Sequence, residues 1–549
     1  MISTLLYSTI LATPLDKHLL YFVLVDRFAN GQTENDNQID TADPQAFHGG
    51  DLWGLAEKIP HLKSMGVDSV WISPIFTMRT EKFIGHGAFH GYWIQNLDTI
   101  ETRFGGERAL RNVSKKLQDE DISLVMDMVY NHVSFDSPLV NQKPSWFHPA
   151  KPISDWNDEF ELQNYQVHGL PDLDQANEEV YRYLYQKSIS WQKEANLSGF
   201  RIDAIRHMNN DFLAKISEDL HNNIGKNFWL LGEDFQGNPI SLANRANETK
   251  VDALFDFPLY YAMTNVFCDQ KSAQDLGVIL SSDREYPENF QWVTFLDNHD
   301  LPRIHSRCKS PEDVQQALLF QFSVRGLPMI TYGFEAEMKG QHEPMNRGSI
   351  DWEKPFPLAK TIRDYRDLRA KFPVLEKGLG EVIQADKKQF VYRQSLKKQH
   401  AYVAVNQSEK AMVVSLPKRA KELAVVSTSQ EETPLAVVPP KSTKLIIVKH
   451  KCSPKSTFHT VKFQLSSKIE DEIRIVGSAT EIGGWDPSNG VTLQKECPTC
   501  PRKAEVVVPK SAVIAWKLVY IKEGSVEWEQ QENRILWNQK NVDIALPGQ

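Results

Sequence analysis

The sequence predicts an α/β protein: a (β/α)8 TIM barrel with an inserted subdomain, followed by two small all-β domains. Up to about residue 372, eight short apolar runs alternate with longer stretches of helical period. One long polar stretch interrupts that alternation, and beyond residue 372 the pattern changes to short alternating runs typical of antiparallel strands. Eight parallel strands joined by crossover helices close into a barrel, which accounts for the first part of the chain.

Length and charge limit the classes of protein that fit. A chain of 549 residues exceeds one ordinary hydrophobic core, so we expect two to four domains. The net charge of −9, without a long basic run, argues against nucleic acid or a membrane surface as a partner. No apolar stretch reaches the roughly 18 residues of a membrane span. A neutral polymer remains open as a partner.

The predicted barrel covers residues 15–372. Stretches such as Gly106–Asp119 and Asn209–Asn222 have the period of amphipathic helices between strands. The strand-like runs begin near Leu19, Ser69, Ser123, Gly199, Phe228, Val251, Gln291 and Pro328.

The interruption lies at about residues 133–177, after the third strand-like run, and is rich in Pro, Asn, Asp and Trp. A connection of that length in a compact domain is usually functional. We therefore expect a small inserted subdomain on the rim at the carboxyl ends of the barrel strands.

Two all-β domains are predicted after the barrel, at 373–450 and 455–549, joined by a polar, Lys- and Pro-bearing linker. Both should be β-sandwiches. The expected strands of the first are Gln389–Arg393, Ala401–Asn406, Ala411–Ser415 and Leu445–Val448, and those of the second are Phe458–Leu465, Glu472–Gly477, Ala504–Val508 and Ala515–Lys522.

Four polar clusters follow predicted barrel strands 3, 4, 5 and 7. They are Asp127–His132, Gly199–His207, Leu231–Glu233 and Phe295–Asp300. Taken singly, an acidic residue after a strand is as easily a helix cap, and an Asn-His pair a loop anchor. The carboxyl ends of barrel strands converge on one pocket, however, so four clusters in register indicate a shared active site.

These clusters resemble the four signature regions of the α-amylase family, glycoside hydrolase family 13. The similarity extends over roughly the first 450 residues and is highly specific. Further matching segments are Tyr21–Phe28, His90–Trp93, Leu170–Asp174, Gly326–Pro328, Tyr332–Gly333 and Glu343–Arg347. The resemblance implies an enzyme that cleaves α-1,4-glucosidic bonds of starch and maltooligosaccharides with retention.

Three carboxylates carry the implied chemistry. Cleavage with retention needs two carboxyl groups about 5–5.5 Å apart. By the family pattern, Asp203 is the nucleophile and Glu233 the general acid, later the base, with a pKa raised by burial and neighbouring carboxylates. Asp300 would bind sugar hydroxyls and stabilise the distorted ring.

The resemblance also assigns substrate contacts to surrounding side chains. Arg201 stands two residues before Asp203 and so shares its face of the strand. Glu343 replaces an Asp of the family pattern, and Arg206 replaces a frequent Lys. The full set is Tyr92, which should stack on the sugar, with His132, Arg201, Arg206, His299, Glu343 and Arg347.

Calcium is the implied metal, because hard oxygen ligands are gathered from separate loops. The resemblance predicts a structural site that pins the subdomain to the barrel, formed by Asn131, Asp174 and the backbone carbonyl of His207. For a second site the alternative is an ordinary polar turn. Its expected ligands are Asn30, Gln32, Asn35, Asp36, Gly49 and Asp51.

The C-terminal segment resembles a starch-binding domain of carbohydrate-binding module family 20. Trp485 and Trp528 match the paired tryptophans that stack on glucose rings, and both lie in polar, turn-like contexts. The alternative for two tryptophans is core packing. A Lys that many such domains place between them is replaced by Val519.

The five cysteines are too few for a disulfide scaffold. Cys497 and Cys500 resemble half of a redox or zinc motif, yet no second CxxC and no nearby His pair accompany them. A loop disulfide or ordinary loop cysteines fit better. The short apolar segment Met1–Pro14 lacks the basic start of a signal peptide.

Together these features predict an endo-acting α-amylase that is monomeric and secreted. One alternative is a cyclodextrin glucanotransferase or another α-1,4-glucan transferase of the same family, which shares the three carboxylates. Such transferases usually carry one more β-sandwich before the starch-binding domain, and no sequence for it is present. The other alternative is a non-catalytic starch-binding protein.

Overall fold

The computed structural model describes residues 17–546 except 289, 452–456, 468, 470, 498, 499 and 523. The segment Met1–Pro14, the predicted barrel start at residue 15, most of the predicted linker and Cys452 lie outside the described residues. The predicted domain boundaries stay predictions.

A closed barrel of eight parallel strands forms the first part of the chain, in the order β1 to β8. Each strand begins within two residues of its predicted start, so the predicted fold class is confirmed. The strands are β1 Leu20–Val23, β2 Ser69–Ile72, β3 Ser123–Met128, β4 Gly199–Ile202, β5 Trp229–Gly232, β6 Ala253–Phe255, β7 Gln291–Thr294 and β8 Leu327–Thr331.

Helices surround the barrel, and most begin at a side-chain cap. The Asn177 side chain accepts a hydrogen bond from the backbone amide of Glu179. The Ser310 side chain likewise accepts a hydrogen bond from the amide of Asp313, and the helix that it caps begins with proline. The helices are Val25–Phe28, Leu52–Glu57, Ile59–Ser64, Gly106–Asp119, Pro138–Gln142, Glu159–Asn164, Glu178–Ala195, Asn210–Ile224, Pro239–Thr249, Phe257–Phe267, Gln274–Ser281, Ile304–Arg307, Pro311–Ser323, Ala359–Lys371 and Val374–Lys377.

The barrel strands are buried on both faces, as parallel strands covered by helices must be. Large side chains such as Tyr21, Trp71 and Trp229 are almost completely buried in the core. Burying each side chain of this size contributes about 2–3 kcal/mol. The packed barrel therefore holds the strand ends, and the side chains that follow them, in fixed positions.

The inserted subdomain contains the short helices Pro138–Gln142 and Glu159–Asn164. Isolated bridges join it to the barrel, among them His132 with Asp172. It therefore lies directly after β3, at the carboxyl end of the barrel.

An antiparallel sheet follows the barrel, ordered β13-β15-β11-β10-β9, with β12 and β14 paired beside it. The prediction missed β9 and β13, because their alternation is broken by exposed polar residues. The strands are β9 Leu379–Ala385, β10 Gln389–Leu396, β11 Gln399–Asn406, β12 Met412–Val413, β13 Lys421–Ser427, β14 Val437–Val438 and β15 Ser442–Lys449.

Two further sheets form the C-terminal domain, ordered β19-β20-β16-β24 and β18-β17-β21-β22, with β23 pairing to β21. They enclose a separate core around Trp516. The strands are β16 Phe458–Leu465, β17 Glu472–Gly477, β18 Val491–Thr492, β19 Gln494–Lys495, β20 Arg502–Pro509, β21 Ile514–Lys522, β22 Ser525–Trp528, β23 Arg534–Leu536 and β24 Asn541–Ile544.

The C-terminal domain packs directly against the barrel. Arg284 donates two hydrogen bonds to the Glu481 carboxylate, at 2.7 and 2.5 Å, and the Thr480 hydroxyl bonds Glu285 at 3.1 Å. Gly484 lies against Ile240 at the start of the helix Pro239–Thr249. These contacts hold the domain at a defined place beside the barrel.

Two disulfides are present in the described residues, Cys268–Cys308 and Cys497–Cys500. The second agrees with the loop disulfide considered from the sequence, whereas the first was not expected. Among the described helices, none is long and apolar enough to cross a membrane.

Candidate active site

A cavity of about 190 Å³ opens at the carboxyl ends of the barrel strands. Asp203 follows β4, Glu233 follows β5 and Asp300 lies beyond β7, and all three line this cavity. The other lining residues are Tyr92, His132, Val167, His168, Leu170, Ala204, Arg206, His207, Phe235 and His299.

Arg201 holds the acid cluster together. It is 1% exposed, and its Nη1 lies 2.9 Å from Asp127 Oδ1 and 2.6 Å from Asp203 Oδ1. Its Nη2 lies 2.8 Å from Glu233 Oε1. Because Asp203 and Glu233 bind neighbouring nitrogens of one planar guanidinium, they stand side by side, as retention requires.

Asp127 is the third partner of Arg201, and the sequence analysis gave it no role of its own. The Asp127 carboxylate accepts hydrogen bonds from Tyr92 Oη at 3.0 Å and from Trp71 Nε1 at 3.1 Å. Burial raises the pKa of Asp127 to about 7, although the Arg201 charge opposes this. The sequence did contain a signal for this role, because Asp127 is the first residue of the Asp127–His132 cluster.

Glu233 is placed to hold a proton near neutral pH. Burial raises the pKa of Glu233 to about 8; Arg201 lowers it, whereas the charges of Asp203 and Asp300 raise it further. The backbone amide of Ala204 donates to Glu233 Oε2 at 3.2 Å. A carboxyl group with this pKa can donate a proton to a leaving group at neutral pH.

Asp300 has the opposite electrostatic environment. Burial raises the pKa of Asp300, but electrostatic interactions with His299, Arg347 and Arg201 outweigh burial and hold the pKa below its ordinary value. Arg347 Nη2 lies 2.9 Å from Asp300 Oδ1. Because burial lowers the pKa of His299 to about 3, that imidazole is neutral near pH 7 and Arg347 supplies the positive charge.

Tyr92 and His299 form a flat aromatic wall. Their rings are parallel within 3°, with centroids 5.2 Å apart. A ring nitrogen of His132 lies 3.2 Å from the Tyr92 carbonyl oxygen, which joins the third predicted residue to this wall. The structure therefore brings all three together beside the carboxylates.

The outer rim carries Arg206, Phe235 and Trp156. Arg206 donates to the carbonyl oxygens of Phe235 and Trp156, at 3.4 and 3.2 Å. Phe235 is 41% and Trp156 44% exposed, unusually open for large apolar side chains. Neither aromatic side chain was predicted from the sequence as part of the site, although Phe235 stands only two residues after Glu233.

Glu343 reaches the site only through Arg347. The Arg347 guanidinium lies between Asp300 and Glu343, with its Nη1 2.7 Å from Glu343 Oε1. The Arg347 side chain is buried, whereas that of Glu343 is partly exposed. Of this pair, Glu343 is therefore the side chain with room for a bound molecule.

One predicted residue of the first calcium site offers an oxygen suited to a hard cation. Asn131 is buried and its Oδ1 has no hydrogen-bond partner among the described residues. Burial raises the pKa of Asp172 to about 6, and a hydrogen bond with His148 opposes this. The Leu173 amide donates to the Asn131 carbonyl oxygen at 2.9 Å, so Asp172, which was not predicted from the sequence, lies near Asn131.

Asp174 lies close to Asp172, and its role as a ligand stays a prediction. Its Oδ1 accepts the Ala176 amide at 3.0 Å and lies 3.5 Å from Nε2 of His148, whose Nδ1 lies 2.6 Å from Asp172. Asp172 is 1% exposed, whereas the side chain of Asp174 is partly exposed. Within the described residues, no three His, Cys, Asp or Glu side chains converge on a metal position. Amide and carbonyl oxygens, including the backbone of His207, would have to complete the set.

The second predicted site is assembled in part. Asn30 Nδ2 donates to Asp36, at 2.9 and 3.0 Å, and both side chains approach Gly49. Asp51, by contrast, caps the helix Leu52–Glu57 and accepts the amides of Gly31, Gln32 and Gly54. The Asn35 side chain donates to Asp51 at 2.9 Å, and its Oδ1 has no partner among the described residues. The turn interpretation therefore accounts for Asp51, and the hydrogen bond of Asn30 to Asp36 fits a turn as well as a cation site, so the second site stays a prediction.

Trp485 and Trp528 lie together in the C-terminal domain. Their ring centroids are 6.2 Å apart and the rings are inclined at 43°. Both side chains are half-buried, and Trp485 also packs against the barrel core. The pair is therefore a surface feature close to the junction with the barrel.

A parallel barrel with buried carboxylates at the carboxyl ends of its strands defines an enzyme of acid–base or nucleophilic type. Residues 22–408 match the family model described as "Alpha amylase, catalytic domain", and residues 458–544 match the model described as "Starch binding domain". The chain therefore belongs to the α-amylase family, glycoside hydrolase family 13, and carries a starch-binding domain.

Curated relatives include enzymes of two activities. A β/α-amylase of Paenibacillus polymyxa is 28% identical over 74% of this chain, but the match spans only 35% of that relative. A cyclomaltodextrin glucanotransferase of Klebsiella oxytoca is 26% identical over 94% of this chain and 92% of that relative. The chain is thus a glycoside hydrolase of the amylase and glucanotransferase type.

Solved structures similar to this chain also include both amylases and glucanotransferases. An Anoxybacillus α-amylase is 28% identical, with a TM-score of 0.73 over 81% of this chain and all of that one. A cyclomaltodextrin glucanotransferase with a three-domain ABC distribution is 27% identical, with a TM-score of 0.71 over 78% of this chain and 99% of that one.

Replacing Arg201 by Met should destabilise the protein more at pH 8 than at pH 5. Removing the cation leaves buried carboxylates unpaired, at a cost of about 3–5 kcal/mol. Their pKa values then rise further, so folding must add protons that the unfolded chain has lost, and this cost grows with pH. Thermal unfolding of wild type and Arg201→Met at both pH values measures it.

Arg201→Lys is the matched control, since it keeps the charge and loses only the fork geometry. It should show a smaller loss with a weaker pH dependence. Equal melting temperatures for wild type and Arg201→Met would show that Arg201 does not neutralise the cluster.

Proposed function

We propose that this chain is an endo-acting α-amylase that hydrolyses α-1,4-glucosidic bonds of starch with retention. The observation that supports this most is Arg201, which binds the Asp203 and Glu233 carboxylates through neighbouring nitrogens of one guanidinium. That arrangement supplies a nucleophile and an acid at short range, which a double displacement needs.

In the first step Asp203 attacks the anomeric carbon while Glu233 protonates the glycosidic oxygen. The C–O bond to the leaving chain breaks, and a glycosyl–Asp203 ester forms. Glu233, now ionised, then takes a proton from water, which attacks the ester and releases Asp203. Burial of Glu233, with its pKa raised to about 8, supplies the protonated acid.

Other side chains would bind and stabilise the sugar. The ionised Asp300, beside Arg347, is suited to accept sugar hydroxyls and to oppose the positive charge of the transition state. The parallel rings of Tyr92 and His299 present an apolar face, and His132 adds a polar group next to it. Arg206 and Glu343 would contact more distant sugars at the rim.

A transferase remains the second candidate, and a specific observation favours it. Phe235 and Trp156 expose apolar faces beside Arg206 on the rim, where they would hold a sugar acceptor better than water. The absence of an additional β-sandwich does not decide against it, because one similar glucanotransferase has a three-domain ABC distribution. The balance of water and sugar as acceptors is therefore the quantity to measure.

We propose calcium as the structural cation. Asn131, Asp172 and the His207 carbonyl would hold it between subdomain and barrel, with Asn30, Asp36 and Gly49 as a second, weaker place. When bound, the ion would add charge and rigidity at the base of the subdomain. No step of the reaction depends on it.

We further propose that Trp485 and Trp528 bind starch by stacking, and that the enzyme acts outside the cell as a monomer. The disulfides Cys268–Cys308 and Cys497–Cys500 support an oxidising compartment.

On soluble starch, wild type should release linear maltooligosaccharides, and Asp203→Asn should lose activity by about three to six orders of magnitude, because the nucleophile is gone. Chromatography of the products measures both. Asp119→Asn, the same chemical change at the exposed end of the helix Gly106–Asp119, is the matched control for nonspecific loss.

Cyclic or lengthened products from wild type would move the assignment to the transferase. Wild type without any turnover, yet bound to granules, would leave only the starch-binding role.

The pH dependence of kcat/KM should show a basic limb near pH 8. Only protonated Glu233 can act as the acid, so activity falls as pH rises through its raised pKa. An α-maltosyl fluoride tests the cause, because fluoride leaves without protonation. Its kcat/KM should lack the basic limb; an unchanged limb would assign the ionisation to another group.

Chelation should lower the melting temperature if calcium is bound as proposed, and added calcium should restore it, with a rise that follows the logarithm of the calcium concentration. Asp172→Asn should abolish this response, whereas Asp174→Asn should keep it, because Asp172 is the side chain beside Asn131. The reverse result would restore Asp174 as the ligand, and an unresponsive wild type would remove the metal from the proposal.

A further inference from the structure

A second and larger cleft, of about 860 Å³, lies where the barrel, the β9–β15 sheet and the C-terminal domain meet. The barrel wall comes from the start of β7, at Gln291, and from Arg325 and Gly326 just before β8. These are amino ends of strands, whereas the candidate active site lies at the carboxyl ends. The cleft is therefore separated from the acid cluster by the length of the barrel.

One wall of this junction cleft is aromatic and held in place. Tyr286 and Phe290 stack with centroids 5.6 Å apart, and Trp292 lies 5.2 Å from Tyr286. The Arg325 guanidinium stands 4.2 Å above the Trp292 ring and is paired with Asp256 and Asp283. The rings are thus positioned before any ligand arrives, which lowers the entropic cost of binding.

The opposite wall belongs to the starch-binding domain. Phe458, the first residue of β16, lines the cleft and is 59% exposed, and Ser511 and Ala512 lie beside it. Leu379 of β9, also exposed, completes the apolar rim. Phe458 and Leu379 together leave apolar area uncovered at a domain junction, where a bound molecule would cover it.

The charges of the cleft nearly balance and offer little to an ionic ligand. Its lining contains four carboxylates and three cationic side chains, and most of them are paired. Asp283 pairs with Arg325, and Arg284 with Glu481. Glu376 pairs with His18, and Glu381 with Arg393. A neutral molecule therefore fits this lining better than a charged one.

Hydrogen-bonding capacity remains for such a molecule. Gln291 Oε1 is buried and has no hydrogen-bond partner among the described residues. Gln291 also lines the cleft, next to Phe290 and Trp292 in the chain, so its amide adds a polar group to this wall. Aromatic faces with a few polar groups, in a cleft of several hundred Å³ between domains, are the usual features of a small-molecule site. A sugar, with apolar ring faces and many hydroxyl donors, satisfies both requirements.

We propose that the junction cleft is a non-catalytic binding site for a neutral α-1,4-glucan segment of several glucose units. The inference rests on the proposed substrate class, because the wall at Phe458 belongs to the starch-binding domain. A starch polymer held there and at the tryptophan pair would meet the protein at several points, which raises its residence time.

Hydrogen–deuterium exchange of the full chain with Asp203→Asn, Trp485→Ala and Trp528→Ala, with and without maltoheptaose, tests this. The substitutions remove turnover and the tryptophan pair. Maltoheptaose should slow exchange in segments 283–288, 376–382 and 509–512, besides the segments around Glu233. Adding Phe290→Ala and Phe458→Ala should weaken the apparent affinity of the cleft segments by about tenfold or more.

Phe458→Ala alone is the second variant, because its exposed side chain can be removed without disturbing a core. Phe160→Ala, an equally exposed aromatic on the subdomain, is the matched control and should leave cleft protection unchanged. The proposal is overturned if maltoheptaose leaves the cleft segments unprotected, or if protection survives both aromatic changes. Protection around Glu233 with no effect at the cleft would retain the proposed function and reject only this site.

Discussion

The buried Arg201 guanidinium is the interaction on which the active-site geometry depends. Three carboxylates, Asp127, Asp203 and Glu233, cannot remain close together inside a barrel unless a cation compensates them. One planar group does this from a single position on β4. Arg201 does not fully offset the burial of Glu233. Burial still raises the pKa of Glu233 to about 8, so this carboxyl group retains the proton that cleavage needs.

The docked starch-binding domain has a related consequence. Asn238 follows Glu233 by five residues, so their Cα atoms are at most about 18 Å apart. Asn238 Nδ2 lies 3.5 Å from the carbonyl oxygen of Gly484, next to Trp485. The tryptophan pair therefore stands within reach of a glucan chain whose other part occupies the active site. The ion pair of Arg284 with Glu481 stabilises this placement, so the starch-binding domain is held beside the active-site cavity.

Under the proposed mechanism, we expect the choice between hydrolysis and transfer to depend on the rim rather than on the carboxylates. The same acid cluster would serve both reactions, since both would pass through a glycosyl–enzyme. Phe235, Trp156 and Arg206 surround the place where an acceptor would approach. Relatives and solved structures similar to this chain include both amylases and glucanotransferases.

The sequence by itself determined the barrel, its eight strand positions, and the set of carboxylates, because hydrophobic period and motifs after strands are local signals. Only the tertiary structure decided which residues meet. It placed Asp127 against Arg201 and Asp172 near Asn131, and joined three domains around the junction cleft. Asp172 and Asp174 are two residues apart on an extended chain, so their side chains point to the same face. Only contacts with residues from distant segments of the chain therefore distinguish them. A cleft between domains likewise has no signature in any one of them.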